Sequence, residues 1–169
     1  MAGRLLQVAS STVSTSVSSV TLTGIDTNCV YMVTGMNIES SAGAYMQGRF
    51  TESGTPNTTT NYDGAFKLIR SYNTFLDRDA LNDNKFEWTR NLQGTGNNNS
   101  SFTAYIYNAY NGTDYTFISN QAVALTSSTQ AEGMFGGNCF TQTSVVDGVQ
   151  FFFSSGNIDS GVFSLYKIL

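Results

Sequence analysis

The chain has 169 residues, enough for one domain whose core needs no metal or disulfide to be stable. Its 8 Lys and Arg and 12 Asp and Glu give a net charge of −4, and no basic run is present that would neutralise nucleic-acid phosphates or an anionic membrane surface. Aromatic residues make up 13% of the chain, which is not the composition of a disordered protein.

Strand signals recur along the whole chain, whereas Ser, Thr, Asn and Gly interrupt every helical periodicity. Runs rich in Val, Thr, Tyr, Phe and Ile are separated by turn residues. They predict strands at 4–8, 17–23, 28–38, 44–52, 64–71, 84–90, 101–109, 114–119, 121–126, 138–145, 148–154 and 161–168. This spacing predicts an all-β fold, an antiparallel β-sandwich or a barrel, as a single domain over residues 1–169, with 1–16 as an N-terminal strand or arm.

The N-terminal residues predict where the protein is made and how its cysteines behave. The apolar run from Leu5 is too short for a signal peptide, and no segment reaches the roughly 20 apolar residues of a membrane-spanning helix. We therefore expect the chain to stay in a cytosol. Cys29 and Cys139 are expected to be buried free thiols, and a disulfide between them is the alternative.

Three stretches are typical of loops: 10–16, 53–61 with the single proline Pro56, and 94–101. Residues 76–83 predict the one helical turn of the chain. Asp77 to Asp83 superficially resembles a calcium loop, but Leu81 occupies a ligand position and the turn glycine and final glutamate are missing. A solvated polar turn is the expectation there.

A β-hairpin is predicted around Asn111-Gly112, a dipeptide that favours a type I′ turn. The flanking strands run over 102–110 and 113–118. Alternation places Phe102, Ala104 and Ile106 on one face of the first strand.

Near the C-terminus, Phe151-Phe152-Phe153 puts large apolar side chains on both faces of one strand. Both faces must then be covered, by a second sheet or by a neighbouring subunit. The last strand adds Phe163 and Leu165, which we expect in the core or at an interface. All five residues are candidate interface residues.

The chain contains no histidine, which excludes Ser-His-Asp triads, Cys-His dyads and His-ligated metals. Only carboxylate chemistry remains. The acidic candidates for it are Asp63, Asp77, Asp79, Asp83, Glu87, Asp114 and Asp147. Because no spacing singles out a pair of the kind a glycosidase uses, we expect no enzymatic activity, no cofactor and no metal.

Aromatic rings for stacking on sugars are the remaining candidate binding groups. Trp88, Tyr105, Tyr107 and Tyr110 could serve in this way. A single tryptophan in an alternating strand is more commonly a core or interface residue, and this remains the competing interpretation of Trp88.

Two parts of the chain resemble a loose class of small virion proteins of tailed bacteriophages, common in phages of marine and freshwater bacteria. The first covers 5–13 and 18–25, where a short strand, a Ser/Thr-rich bridge and a second strand ending in Gly-Ile follow one another. The second covers 151–157 and 161–166, a Gly/Asn turn followed by a final strand. Together they make up about a quarter of the chain. Such proteins usually end in Tyr-Gly-Ile, whereas this chain has Lys167.

The resemblance implies a jelly-roll-like sandwich that decorates a capsid or forms part of a tail. On this basis we expect a capsid decoration or cement subunit that forms a homo-oligomer, a trimer on local threefold positions, and binds the major capsid protein. It would be located in the virion after assembly in the host cytoplasm. The alternative is a tail or fibre accessory protein that contacts tail proteins and binds host glycans. Nucleic acid and membranes are not expected partners.

Overall fold

Strands make up most of the chain, and the described residues contain no helix. The computed structural model describes residues 3–71, 75–92, 99–127 and 130–169. Thirteen strands occur in these ranges: β1 (Leu5–Val13), β2 (Ser19–Thr23), β3 (Tyr31–Ser40), β4 (Ala44–Glu52), β5 (Thr55–Pro56), β6 (Tyr62–Arg70), β7 (Leu76–Asp83), β8 (Phe86–Leu92), β9 (Ser100–Tyr107), β10 (Thr116–Ser127), β11 (Gln130–Phe140), β12 (Gly148–Phe153) and β13 (Ile158–Ile168).

Eight of these strands form a jelly roll. One sheet contains the order β1-β13-β3-β9 and the other the order β2-β12-β4-β8, and every pairing is antiparallel. This is the strand order of two interlocked Greek keys, in which successive strands alternate between the two sheets except for β4 and β8, which are neighbours in the second sheet. The predicted antiparallel jelly-roll sandwich is therefore confirmed.

Two insertions add five strands, of which β6, β7, β10 and β11 widen the first sheet and β5 pairs with β4 in the second. One, β5 to β7, lies between β4 and β8, and the other, β10 and β11, lies between β9 and β12. They meet where β11 pairs with β6, so the sheet continues as β9-β10-β11-β6-β7 and has eight strands. We call the outward side of this sheet, which faces away from the second sheet, the outer face.

The core between the sheets is built from stacked aromatic rings. The centroid of Trp88 lies 4.9 Å from that of Phe102 and 4.7 Å from that of Phe86, and Phe151 lies 4.9 Å from Phe163. Gly48 makes room for them, because a Cβ on this residue would lie 2.4 Å from Nε1 of Trp88. The close approach of ring and backbone explains why a glycine stands in the middle of β4.

The segment predicted as a helical turn, 76–83, is strand β7 instead. It pairs with β6 at the edge of the large sheet. A run rich in Asp and Asn has low strand propensity, but an edge strand needs only one partner, and its charged side chains face solvent. The extended backbone also contradicts the calcium-loop interpretation of Asp77 to Asp83.

The predicted hairpin exists, but the predicted type I′ turn was wrong. Strand β9 pairs with β10, and Phe102, Ala104 and Ile106 are buried on one face as expected. The strands end at Tyr107 and resume at Thr116, which leaves an eight-residue loop. Gly112 has no positive φ, so there is no type I′ turn. The Asn111 side chain orders the loop instead, since its Oδ1 accepts the Thr113 N–H at 3.0 Å.

Several other boundaries differ from the predicted ones. Strand β1 runs through part of the predicted loop 10–16 and pairs with β13, so these residues are a sheet strand. The segments 114–119 and 121–126 are one strand, β10, and β11 covers 130–140 where 138–145 was expected. Within the predicted loop 94–101, residues 94–98 lie outside the described residues, and residues 100 and 101 begin β9.

The cysteines are free, as predicted, but only half-buried. Cys29 lies in the loop before β3, and Cys139 lies on β11 next to Phe117 of β10. Partial burial, with the nearby Asp63 carboxylate, raises the pKa of the Cys139 thiol. A raised pKa keeps this thiol protonated and poorly nucleophilic at neutral pH.

Candidate functional site

The residues predicted for an interface lie almost entirely inside the core. Phe151, Phe163 and Leu165 have no exposed surface, and Phe153 is nearly buried. Only Phe152 points to the other side of β12, where the Arg49 guanidinium lies 4.6 Å from its ring centroid. The large first sheet covers one side of β12, and an arginine covers the other. Four of the five side chains thus have no surface to offer a partner.

The four aromatic residues considered for sugar stacking lie in different environments. Trp88 is completely buried, so it is a core residue and cannot stack on a sugar. Tyr105 is 39% exposed on the outer face. Tyr107, two residues further along β9, is half-buried, and its hydroxyl lies 3.2 Å from that of Ser119. Tyr110 is exposed in the loop beyond β9.

The acidic residues considered for catalysis are distributed over the surface and mostly have structural partners. Glu87 accepts two hydrogen bonds from the Arg90 guanidinium, at 2.5 and 2.8 Å. Asp147 accepts the Thr51 hydroxyl at 2.6 Å and the Gly54 N–H at 2.7 Å. Two of the others form ion pairs, Asp77 with Lys67 and Asp83 with Lys85. Asp63 accepts a hydrogen bond from the Asn82 N–H, and Asp114 accepts one from the Asn111 side-chain amide. Asp79 is exposed on β7.

One charged cluster fixes the loop before β3 to the last strand. Lys167 Nζ donates to Asp26 Oδ1 at 2.9 Å, and the Tyr31 hydroxyl donates to the same oxygen at 3.0 Å. These two hydrogen bonds lower the pKa of Asp26, and the bond to Asp26 raises the pKa of Lys167. The cluster ties the two segments together.

Within the described residues, no three Cys, Asp or Glu side chains converge as a metal site would require. The same part of the chain contains no helix long and apolar enough to cross a membrane.

The outer face is the largest feature that these structural roles leave unexplained. Pairing aligns its side chains in three cross-strand rows over six neighbouring strands, β1 to β11 in sheet order. None of the residues in the rows is charged. The rows are Gln7, Tyr166, Met32, Tyr105, Ser119 and Gly137; Ser10, Ser164, Thr34, Thr103, Gln121 and Phe135; and Thr12, Val162, Met36, Ser101, Val123 and Gly133. In the third row the register shifts after Gly35, so Met36 and Ser101 are not paired, but they line the same groove.

Large apolar side chains stand exposed among the polar ones on this face. Val123 is 55% exposed, Met36 equally so, and Phe135 46%. Phe117 and Val162 are exposed beside them. Single exposed apolar residues are normal on any protein, but several within these uncharged rows form a patch, and such patches mark interaction sites.

Two grooves lie within the same face, where the jelly roll joins the inserted strands. One, of about 500 Å³, is lined by Thr103, Tyr105, Ser119, Asn120, Gln121, Phe135 and Gly136. The other, of about 400 Å³, lies between Met36 and Val123 and shares Thr103 and Gln121 with the first. Small side chains on β10 and glycines on β11 leave these depressions beside the large ones.

Sequence reasoning missed this face because it depends on pairing that the sequence does not specify. Alternation in β9 and β10 does separate Tyr105, Phe117 and Val123 from the buried residues. Nothing in the sequence indicates that β11 and β3 flank these strands and bring Phe135 and Met36 beside them. The one signal of this face in the sequence was the presence of apolar residues at the strand positions that alternate with the buried ones.

Comparisons with protein-family models, with curated proteins and with solved structures find no match. Function must therefore be inferred from the fold and from the outer face.

Proposed function

We propose that the protein is a non-enzymatic structural subunit of a tailed-phage virion, a capsid decoration or cement protein that binds the shell through protein contacts. The observation that carries the proposal is the set of three uncharged rows on the outer face, which together form a wide and partly apolar sheet surface. Such a surface is suited to binding another protein surface.

The fold is consistent with this role. Double-sheet jelly rolls of this strand order are used in viral capsid domains and also in lectins and cupins. Fold alone does not determine function, so the analogy supports the proposal only together with the surface. The sequence resemblance at 5–13, 18–25, 151–157 and 161–166 supports the virion location and, with it, the major capsid protein as a partner.

One observation favours the alternative, a tail or fibre accessory protein that binds host glycans. The groove beside Tyr105 combines an exposed ring with the uncharged polar side chains of Thr103, Ser119 and Gln121. Neutral hydroxyl and amide groups next to an aromatic ring are what recognition of an uncharged sugar requires.

Quantitative mass spectrometry of purified virions tests the proposal. A decoration subunit should be present on the order of hundreds of copies, in a fixed ratio to the major capsid protein, because it follows the symmetry of the shell. A few to dozens of copies would support the tail alternative. Absence of the chain from washed particles would contradict both.

A glycan array with Tyr105→Ala tests the alternative separately. If the groove binds sugar, wild-type protein gives specific signals that Tyr105→Ala loses. Tyr115→Ala, at a similarly exposed tyrosine in the neighbouring loop, is the control and should retain them.

A further inference from the structure

We infer that the outer face is a contact between two copies of this chain, which pack sheet against sheet around a twofold axis. The inference rests on the assembly role proposed above, names the partner of that surface, and replaces the trimer expected from the sequence by a twofold dimer. We take a second copy of the chain to be the partner because the area, the charge and the shape of the outer face all favour it.

The area is close to what a stable dimer needs. Six strands at about 4.8 Å spacing span about 29 Å, and the seven residues from Phe117 to Val123 along β10 span about 24 Å. The product is about 700 Å² per copy, against about 800 Å² per partner in interfaces of standard size. Two sheets can pack in this way with their strands about 30° apart.

The charge distribution favours a copy of the same chain. The chain carries a net charge of −4, so two copies repel one another over most approaches. The rows of the outer face contain no charged residue, so two copies can meet there without burying like charges. A strongly charged partner would find no opposite charge on these rows to pair with.

The shape is also compatible with self-association. A twofold contact requires one surface to be complementary to itself, so that it carries both protrusions and depressions. The outer face has both, since Phe135 stands at the rim of the 500 Å³ groove and Met36 and Val123 stand beside the 400 Å³ groove. A side chain of one copy can therefore enter a groove of the other while its own groove is filled in return.

Light scattering of the purified protein and of matched valine variants tests the contact. Wild type should have twice the subunit mass and dissociate on dilution. Val123→Asp places two carboxylates at the contact and should weaken association by at least about 30-fold, the equivalent of losing a hot spot of about 2 kcal/mol. Val145→Asp is the control, because Val145 is 43% exposed in the loop 141–147 and should leave the dimer intact.

Carbene footprinting of wild-type protein gives a test that does not depend on a folded variant. Labelling of Val123 and Phe135 should fall in concentrated relative to dilute samples, while labelling of Val145 stays constant.

A monomer at about 100 μM, a trimer, or equal dissociation by Val123→Asp and Val145→Asp overturns the inference. So does a monomer that binds glycans through Tyr105. The virion copy number is measured independently, so the inference can fail while the proposed function stands.

Discussion

Trp88 shows at the scale of a single residue why an aromatic ring in a strand must be placed before it is interpreted. Its ring stacks on Phe102 and meets Phe86 edge-on, and it has no exposed surface. Its Nε1 is also buried without a hydrogen-bond partner among the described residues. An unpaired donor is tolerated here because the ring buries a large apolar area.

We expect Trp88→Ala to lower the free energy of unfolding by about 3 to 5 kcal/mol, because it leaves a large cavity between the sheets. Urea unfolding followed by circular dichroism measures the change. Tyr110→Ala removes an exposed ring and should stay within about 0.5 kcal/mol of wild type. Equal effects of the two substitutions would show that Trp88 does not anchor the core.

Tyr62 joins the loop 53–61 to the core through its hydroxyl. The group accepts the Phe50 N–H at 3.1 Å and donates to the Asn57 carbonyl at 3.2 Å. Burial raises the pKa of Tyr62, so it stays protonated and able to donate throughout the neutral range. Tyr62→Phe leaves a buried N–H unpaired and should cost about 1 to 3 kcal/mol in the same unfolding experiment. No loss of stability would mean that water replaces the hydroxyl.

Asp26 predicts a dependence of stability on pH. Its pKa in the folded protein is below the ordinary 3.8, so its contribution is present above about pH 3.8 and is lost as the pH falls through the lowered value. The raised pKa of Lys167 means that its contribution is present below about 10.5 and is lost only at higher pH.

Asp26→Asn should therefore reduce the melting temperature by a constant amount between about pH 5 and 9, and by less below about pH 3.8. Thermal unfolding across this range measures the difference. Asp159→Asn is the control, because Asp159 accepts a hydrogen bond from Ser16 and pairs with no cation among the described residues. A deficit for Asp26→Asn that persists unchanged at pH 2 would contradict the ionic explanation.

Among the elements, β13 holds the large sheet together. It lies between β1 and β3 and contributes the fully buried Phe163 and Leu165. We expect a chain truncated after Ser160 to be insoluble or unfolded, because losing two buried side chains alone costs on the order of 5 kcal/mol or more, comparable to the stability of a domain. Soluble yield and melting temperature measure this. A truncated chain that melts like wild type would show that β1 and β3 pair without it.

Strands were predictable from the sequence wherever apolar and polar residues alternate strongly, because one face of such a strand is covered by the opposite sheet. Strand β4 was predicted to the residue, and β3, β9 and β12 within three residues, because their apolar positions recur every second residue. Strand β7 was not predictable, because its extended form depends on pairing with β6 and not on its own residues. The Asn111-Gly112 turn failed for a related reason, since β9 and β10 end before it and leave room for a longer loop.

At the scale of the whole molecule, the spacing of the strand-like runs predicted the sandwich but not its two insertions. A jelly roll with insertions has the same strand density as one without, so only the pairing of β11 with β6 reveals the widened sheet. The outer face depends on this widening, which is why the predicted interface fell on core residues such as Phe151 and Leu165. The sequence predicted that these apolar residues are covered, but it did not distinguish covering by a second sheet from covering by another subunit.

The whole fold predicts a distinctive folding rate. Partners such as β1 and β13, or β2 and β12, lie far apart in the chain, so few contacts are local. We expect refolding in milliseconds to seconds or slower, and a far-UV circular dichroism spectrum with less than about a fifth helix. Stopped-flow refolding and a single spectrum check both. Microsecond refolding or a substantial helical signal would contradict this topology.

The position of β13 between β1 and β3 also has a consequence for synthesis on the ribosome. Roughly 145 residues separate Val13 from Ile158, which at about 5 to 20 residues per second takes about 7 to 30 s to translate. During that time β1 lacks β13, its pairing partner among the described residues, and one edge of β3 stays open once β3 has been made. We expect a transient pairing or a chaperone to shield these edges until β13 is made and inserts between them.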